Sequence, residues 1–347
     1  MKAFRFLSVM LVMMSLIVLA ACGGNPSSTD PGASDSNDQG NNEKAQVIKI
    51  ASVNNSTHPA VVAVREKFKP LVEENSGGKL KVEIFDNAQL GGERDTIEQI
   101  QLGQLQMAIA SPVLGSIYKP INLLDLPYLF EDYKHLDTVL DGELGQEILD
   151  GLPEVGLHGF SYMENGFRQI TNSVREINNL DDLKGLKIRV PEAPISVANL
   201  TAIGANVVTM SFNELYSALQ QGVVDGQENA YPTLVEKKLW EVQDYVAETN
   251  HMWGAFVILG SEKWYQQLSP DLQEVVNQAA KEASLYQREL FRESQEADKQ
   301  TLIDNGMTIT TPDLTEFNEA ANSVYEEFYK ENPELAELVK KIRSMGD

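Results

Sequence analysis

The run VIKIASVNNSTHPAVVAVREKF, which starts at Val47, decides the fold class of this chain. Residues 47–53 are rich in β-branched side chains and predict a strand. A helical period then extends over 59–74, with an interruption at Pro70, and the sequence NSGG at 75–78 ends it. A strand that leads directly into a helix is the first half of a βαβ unit.

The alternation of strand and helix continues in the next segment. Residues 79–85 and 105–110 predict two more strands, with a helix at 93–102 between them. Strands joined by helical crossovers predict a mostly parallel sheet with helices on both faces, and ligands of such sheets bind beyond the carboxyl ends of the strands. Three polar residues at those ends are candidate ligand contacts, namely Asn54, His58 and Ser111. The alternative is that they are ordinary polar loop residues.

A second unit of the same kind begins near Gly166. Residues 187–190 and 206–209 predict strands, and a helix is predicted between them at 195–203. Two such units predict an α/β fold of the periplasmic-binding-protein type, a clamshell of two lobes that each hold a mostly parallel sheet flanked by helices. A helical pattern over 270–303 is long enough to run across both lobes.

Each predicted lobe is assembled from two separate segments of the chain. Lobe I comprises residues 46–166 and about 255–295, and lobe II comprises residues 167–254 and about 296–347. The whole chain is 42% hydrophobic, which is sufficient for two packed cores in a segment of this length.

The amino-terminal segment predicts export and lipid attachment. Residues 1–21 combine Lys2 and Arg5 with an apolar run that ends just before Cys22, as in a lipoprotein signal peptide. Cys22 is the only cysteine, so its position favours lipidation over disulfide or metal chemistry. Residues 22–45 are mostly Gly, Asn, Ser, Asp and Pro and predict a flexible tether, which would hold the protein outside the cytoplasm on the cell membrane.

The net charge of the chain argues against two classes of binding partner. It carries 28 Lys and Arg against 51 Asp and Glu, a net charge of -23, which disfavours nucleic acid and anionic membrane surfaces. Solubility alone would also account for this charge. An anionic ligand would have to find a local cationic pocket within the overall negative field.

No catalytic or cofactor motif is present in the sequence. There are only four histidines, none in a zinc-binding pattern such as H-E-x-x-H, and neither glycine-rich phosphate-binding signature occurs. We therefore predict no metal, no cofactor and no enzymatic activity. A hydrolase that uses scattered carboxylates is the remaining enzyme hypothesis, and 51 acidic residues make such pairs uninformative.

Several stretches together resemble the solute-binding proteins of tripartite ATP-independent periplasmic (TRAP) transporters, the DctP family. The longest are NGFRQITNS at 165–173, DDLKGLKIRVP at 181–191 and ALQQGVVDGQEN at 218–229. Shorter matches lie upstream, QLGG at 89–92 and Ser-Pro at 111–112. The resemblance extends along nearly the whole exported chain.

The resemblance implies that Arg189 pairs with the carboxylate of a ligand, that Arg168 lies nearby, and that Asn229 and Phe212 belong to the pocket. A guanidinium group suits this role because its planar fork matches a carboxylate and stays charged when buried. Each residue also has an ordinary interpretation. The arginines could form structural ion pairs, Arg168 with Glu164 for example, Asn229 could belong to a turn, and Phe212 could pack in the core.

Three further side chains are weaker candidates. Tyr231 and Trp253 could form an aromatic wall, and Glu93 could accept hydrogen bonds from ligand hydroxyls, which would suit a sugar acid. Nothing in their spacing requires these roles, and Trp253 could equally be a core residue.

The resemblance implies that the protein is a monomer that captures a small organic acid and delivers it to the integral membrane subunits of a TRAP permease. The ligand is either a sugar acid such as a uronate or a C4-dicarboxylate. Two alternatives stay open, a binding component of an ATP-driven importer and a sensor that presents its ligand to a signalling receptor.

Overall fold

The computed structural model of the protein describes residues 45–346. The predicted signal peptide at 1–21, Cys22 and nearly all of the tether lie outside the described residues. Within 45–346, no helix is both long and apolar enough to cross a lipid bilayer.

Eleven strands within residues 45–346 form two sheets. The strands are β1 (Gln46–Ala51), β2 (Leu80–Phe85), β3 (Met107–Ala110), β4 (Leu157–Phe167), β5 (Gln169–Asn172), β6 (Lys187–Val190), β7 (Asn206–Thr209), β8 (Gly226–Asn229), β9 (Tyr245–Ala247), β10 (Trp253–Ser261) and β11 (Thr308–Thr310). The order is β2-β1-β3-β10-β4 in the first sheet and β11-β9-β5-β8-β6-β7 in the second. Each sheet is the centre of one lobe, which confirms the predicted two-lobe α/β fold.

Twelve α-helices surround the sheets within the described residues. They are α1 (Pro59–Ala63), α2 (Lys69–Asn75), α3 (Glu93–Gln101), α4 (Tyr133–Leu140), α5 (Glu143–Asp150), α6 (Pro194–Ala202), α7 (Leu215–Gln220), α8 (Tyr231–Glu236), α9 (Glu262–Tyr265), α10 (Pro270–Asp304), α11 (Thr315–Glu331) and α12 (Ala336–Ser344). A π-helical segment, Val64–Phe68, joins α1 to α2.

The sheets are mixed, whereas the sequence predicted them to be mostly parallel. In the first sheet, β1 pairs in parallel with β2 and β3, as the βαβ pattern predicts, but β10 pairs antiparallel with both β3 and β4. In the second sheet, β6 is parallel to β7 and β8, and β5 is antiparallel to β8 and β9. The antiparallel pairs involve the strands at which the chain crosses between sheets, from β4 to β5 and from β9 to β10.

Helix α10 runs across both lobes, as predicted. It contains 35 residues, which corresponds to a length of roughly 50 Å at 1.5 Å per residue. Val276, Ala280 and Ala283 pack into the core beside β1 and β2, and Leu302 packs into the core of the second lobe. The helix therefore provides one continuous element that both lobes share.

The carboxyl-terminal helix packs differently from the prediction. We assigned residues 296–347 to lobe II, but Val339 and Ile342 of α12 are buried in the hydrophobic cluster that contains Leu136 and Val139 of α4 in the first lobe. In addition, the Ile342 carbonyl lies 2.8 Å from His135 Nε2. An amphipathic helix binds where apolar surface is available, and α4 supplies that surface.

Candidate ligand-binding site

A cavity lies where loops and strand ends of the two lobes meet. It is lined by Val53, Asn54, Glu93, Arg94, Ser111, Pro112, Val113, Asn165 and Phe256 from the first lobe, and by Arg168, Arg189, Pro191, Glu192, Met210, Ser211, Phe212, Asn229 and Thr233 from the second. This position agrees with the rule that ligands of α/β sheets bind beyond the carboxyl ends of the strands.

Most of the side chains selected from the sequence meet at this cavity. Seven of the ten line it, namely Arg189, Arg168, Asn229, Phe212, Glu93, Asn54 and Ser111. The two buried guanidinium groups, those of Arg168 and Arg189, come from the second lobe, and the candidate acceptors Asn54 and Glu93 come from the first. The buried cations and the buried candidate acceptors therefore face the cavity from different lobes, although Arg94 of the first lobe and Glu192 of the second also line it.

His58 does not line the cavity, although the sequence places it in the loop after β1. It caps helix α1, with Nδ1 accepting a hydrogen bond from the Ala60 N–H at 3.2 Å. Its ring packs edge-on against Phe256, with centroids 5.7 Å apart, and Phe256 is the residue that reaches the cavity. Burial, and to a smaller extent the positive charge of Lys237, lowers the pKa of His58 to about 3, so the ring is neutral at physiological pH.

The two aromatic candidates, Tyr231 and Trp253, are also absent from the cavity wall. The Tyr231 hydroxyl donates to Glu248 at 2.8 Å, and its ring belongs to the core of the second lobe. Trp253 packs edge-on against Phe130, with ring centroids 5.6 Å apart, in the core of the first lobe. Core packing is thus the correct interpretation of both residues.

Arg189 is a buried cation without a carboxylate partner. Only 2% of its surface is exposed, and its Nε and Nη2 both donate to the Met210 carbonyl, at 2.9 and 2.6 Å. Within residues 45–346, no Asp or Glu oxygen lies within 4.0 Å of its guanidinium. Burial lowers the pKa of Arg189 to about 10, so it remains charged at neutral pH. A buried charge that lacks a counterion is costly, and an anionic ligand could supply one.

Arg168 differs from Arg189 because it has its own counterion. Its Nε and Nη2 form a bidentate pair with the Glu228 carboxylate, and Nη2 also donates to Asn229 Oδ1 at 2.9 Å. Burial raises the pKa of Glu228, but Arg168 opposes it, and the net result is a pKa of about 2. The other terminal nitrogen, Nη1, is buried without a hydrogen-bond acceptor. Arg168 therefore holds the strand end in place and retains one donor group.

Glu164 is not the partner of Arg168 that the sequence suggested. Its carboxylate accepts a hydrogen bond from Nε of Arg292, at 2.6 Å, and Arg292 also binds Asp137. Arg292 belongs to α10, so this network links strand β4, next to the cavity, to the long helix. Burial raises the pKa of Glu164 to about 7, and Arg292 opposes that rise.

Glu93 begins helix α3 and is fixed by Ser111. Its Oε1 accepts a hydrogen bond from the Ser111 N–H, and Oε2 accepts one from the Ser111 hydroxyl at 2.8 Å. Burial nevertheless raises the pKa of Glu93 to about 7, while Ser111, Arg189 and Arg168 lower it. Each carboxylate oxygen has a second lone pair, so Glu93 can accept a further hydrogen bond from a ligand hydroxyl.

Replacing Glu93 with glutamine should change how stability depends on pH. The folded-state pKa of Glu93 lies above its unfolded value, so in the native protein this group costs stability as pH rises from about 4.5 to about 7. E93Q should remove that contribution, and the difference in unfolding free energy between variant and native protein should increase with pH across this window. Urea unfolding of the ligand-free proteins at several pH values measures it. A pH-independent difference would contradict the assignment.

The sequence did not identify several residues of the wall. Asn165 lies in the quoted stretch 165–173 but was not selected, and Met210 contributes the carbonyl that holds Arg189. Phe256 reaches the cavity because β10 is inserted antiparallel beside β3, a pairing that no local pattern predicts. Phe212 lies at the wall, and its ring centroid is 5.9 Å from the Arg189 guanidinium carbon and 4.7 Å from the Lys237 ammonium.

Comparison with known protein families identifies the relatives of this fold and cavity. The model of bacterial extracellular solute-binding protein family 7, DctP, matches residues 50–332. The chain belongs to this family. Members of family 7 are extracytoplasmic solute-binding proteins, and the chain is a DctP-type binding protein of TRAP transporters.

Individual relatives of this family 7 protein bind different acids. The 2,3-diketo-L-gulonate-binding periplasmic protein of Escherichia coli is 32% identical over 86% of this chain and 92% of that protein. The C4-dicarboxylate-binding protein of Bacillus subtilis is 30% identical over 81% of this chain and 82% of that protein. A TRAP solute-binding protein of Chromohalobacter salexigens, solved with bound D-glucuronate, superposes with a TM-score of 0.83 at 30% identity, covering 86% of this chain and 99% of that one.

Proposed function

We propose that this family 7 protein captures a sugar acid, such as a uronate, by pairing the ligand carboxylate with Arg189, and that it delivers the acid to a membrane permease. The observation that carries the proposal is the buried Arg189 guanidinium, which, within the part of the chain that the structure describes, has a carbonyl but no carboxylate as a partner. A carboxylate ligand would complete its coordination with charge-assisted hydrogen bonds.

The distribution of donors and acceptors supports a hydroxylated acid. The second lobe contributes the guanidinium groups of Arg168 and Arg189, and the first contributes Asn54 and the buried carboxyl group of Glu93. A ligand with one carboxylate and several hydroxyls satisfies both sides, because its hydroxyls can donate to Glu93 and Asn54. The glucuronate complex of the C. salexigens relative is consistent with such a ligand.

A C4-dicarboxylate is the second candidate ligand. One observation favours it, the Nη1 group of Arg168, which is buried without an acceptor and could receive a second carboxylate. Against it, the charge of Arg168 is already neutralised by Glu228. The Bacillus subtilis relative is named for this ligand class.

The proposed mechanism is capture without catalysis. The acid enters between the separated lobes, Arg189 fixes its carboxylate, and closure of the lobes along the two strand crossings and α10 buries it. The membrane subunits then recognise the closed form. Ligand binding can favour closure only through contacts that the open form lacks, which is why residues from both lobes must reach the acid.

The cellular setting of the proposal rests on the amino-terminal sequence. We propose lipidation at Cys22 and anchoring to the outer face of the cytoplasmic membrane of a Gram-positive cell, with residues 22–45 as the tether. The periplasm of a Gram-negative cell is the alternative location. The protein would act there as a monomer beside the TRAP permease. Genes for an ATPase or a receptor kinase beside its own would instead favour the ATP-driven importer or the sensor.

A thermal-shift screen of residues 43–347 tests the ligand class. Uronates, aldonates, C4-dicarboxylates, keto acids and amino acids are compared, because a ligand that binds only the folded state stabilises it. At 100 times its Kd, the correct acid should stabilise the protein by about 2.7 kcal/mol, a melting-temperature rise of roughly 4 °C for a domain of this size. We expect the largest rise from a sugar acid. A rise with C4-dicarboxylates alone selects the second candidate, and no rise with any acid contradicts the proposed function.

A further inference from the structure

Glu236, at the end of helix α8 in the second lobe, reaches across to the loop that follows β1 in the first lobe. Its Oε2 accepts a hydrogen bond from Asn54 Nδ2 at 3.0 Å, and its Oε1 accepts one from the Asn55 N–H at 3.1 Å. The Asn55 side chain also donates to the Glu236 carbonyl at 3.1 Å. Only 1% of the Glu236 side chain is exposed.

These contacts determine which end of the Asn54 amide faces Glu236. An ionised carboxylate only accepts hydrogen bonds, so the group that meets it must be the NH₂ end of the amide. The Lys237 ammonium, 3.2 Å from Oε1, and the Asn55 N–H stabilise the ionised form. Burial raises the pKa of Glu236, and these donors oppose that rise.

The opposite end of the same amide is left without a protein partner. Asn54 lines the cavity, and among residues 45–346 no hydrogen-bond donor contacts its buried Oδ1. A buried acceptor of this kind has a cost unless a donor reaches it. A hydroxyl of a bound acid is a donor that can enter this cavity.

We propose that Glu236 is a positioning residue, which fixes the amide of Asn54 so that Oδ1 accepts a hydrogen bond from a hydroxyl of the ligand. The inference rests on the proposed capture of a sugar acid and adds a determinant of specificity to it. Glu236 does not touch the ligand. Because it belongs to the second lobe and Asn54 to the first, the acceptor is correctly oriented only when the lobes are together.

The test measures discrimination between hydroxylated and deoxygenated ligands by calorimetric titration. The probes are D-glucuronate and D-galactonate, each compared with its monodeoxy analogues, and the variants are E236Q and N54A. The glutamine of E236Q can present its own NH₂ group to Asn54, so the Asn54 amide can rotate and turn Oδ1 toward position 236. Oδ1 is then no longer held facing the cavity as an acceptor. We expect one deoxy analogue to bind the native protein roughly tenfold more weakly than its parent, and both variants to lose that difference.

Two controls separate positioning from a general structural role. N55A removes the side-chain hydrogen bond to the Glu236 carbonyl but keeps both the Asn54 amide and the Glu236 carboxylate, so it should keep the native discrimination. E241Q removes an exposed carboxylate that binds only Tyr216 within the second lobe, and it should also behave as the native protein. The double variant E236Q/N54A should lose no more discrimination than either single variant, because both act on one hydrogen bond.

The outcomes distinguish this inference from the proposed function. If the native protein binds neither probe nor any other acid, the proposed function and the inference both fail. If the native protein binds a sugar acid and a folded E236Q variant keeps the native preference for every hydroxyl, only the role of Glu236 is overturned. Should E236Q not fold, N54A decides in its place, since unchanged discrimination in N54A contradicts the assigned acceptor.

Discussion

Replacing Arg189 with alanine should weaken binding of the captured acid by roughly a hundredfold or more. The buried carboxylate of the ligand would lose the buried guanidinium of Arg189, which has no carboxylate partner among residues 45–346. Truncating one partner of a buried charge pair commonly costs about 2–5 kcal/mol. Calorimetric titration of native and R189A protein with the acid that gives the largest thermal shift measures the loss. Binding within threefold of the native protein by a folded R189A variant would refute the role of Arg189.

The stability of the ligand-free variant distinguishes a binding arginine from a structural one. Arg189 has no carboxylate partner within residues 45–346, so its removal relieves the cost of a buried charge. This gain should offset much of the loss of its packing and of its two hydrogen bonds to the Met210 carbonyl, and the net change in unfolding free energy without ligand should be small. A large loss of stability would instead indicate a structural role. K187A, two residues earlier on the same strand and exposed, is the matched control and should bind normally. R189K should fall between, because lysine keeps the charge but not the planar fork.

The parts of the fold that could be predicted from sequence are those with local patterns. Strands β1 to β3 and their helices were located to within a few residues because alternation and helical period are local signals. The antiparallel insertion of β10 was missed because its register with β3 joins residues far apart in the chain. The placement of α12 was missed for a similar reason, since its amphipathic pattern does not specify which lobe supplies the partner surface.

In the candidate site, too, the sequence indicates individual residues but not which distant residues contact them. Arg189 and Arg168 were selected by resemblance, but the sequence did not indicate that Glu228, 60 residues away, neutralises one of them and not the other. That difference is what makes Arg189 the stronger candidate for the ligand carboxylate. Trp253 and Tyr231 lie in the cores and not at the cavity wall, a distinction that the sequence could not make because large aromatic residues suit a core as well as they suit a pocket wall.

Replacing Glu228 with glutamine should lower the unfolding free energy by about 3 kcal/mol or more. Glu228 is fully buried and neutralises Arg168, of which only 2% is exposed, so the variant would leave a buried guanidinium without its counterion. The effect should depend on pH in a defined direction. Because the folded-state pKa of Glu228 is lowered to about 2, its contribution is present above about pH 4.5 and is lost as pH falls toward 2. Urea unfolding at pH 7 and at several pH values between 4.5 and 2.5 measures both effects.

The reciprocal variants test whether the pair or the single charge is responsible. If the cost of E228Q comes from the uncompensated guanidinium, then removing Arg168 as well, in R168M/E228L, should restore much of the lost stability, because two apolar side chains of similar volume leave no buried charge. E241Q, which removes an exposed carboxylate, should stay within about 0.5 kcal/mol of the native protein. A double variant less stable than E228Q would show that the stability lost in E228Q comes from packing and hydrogen bonds and not from an uncompensated charge. That result would contradict the interpretation that Glu228 neutralises Arg168 in the cavity.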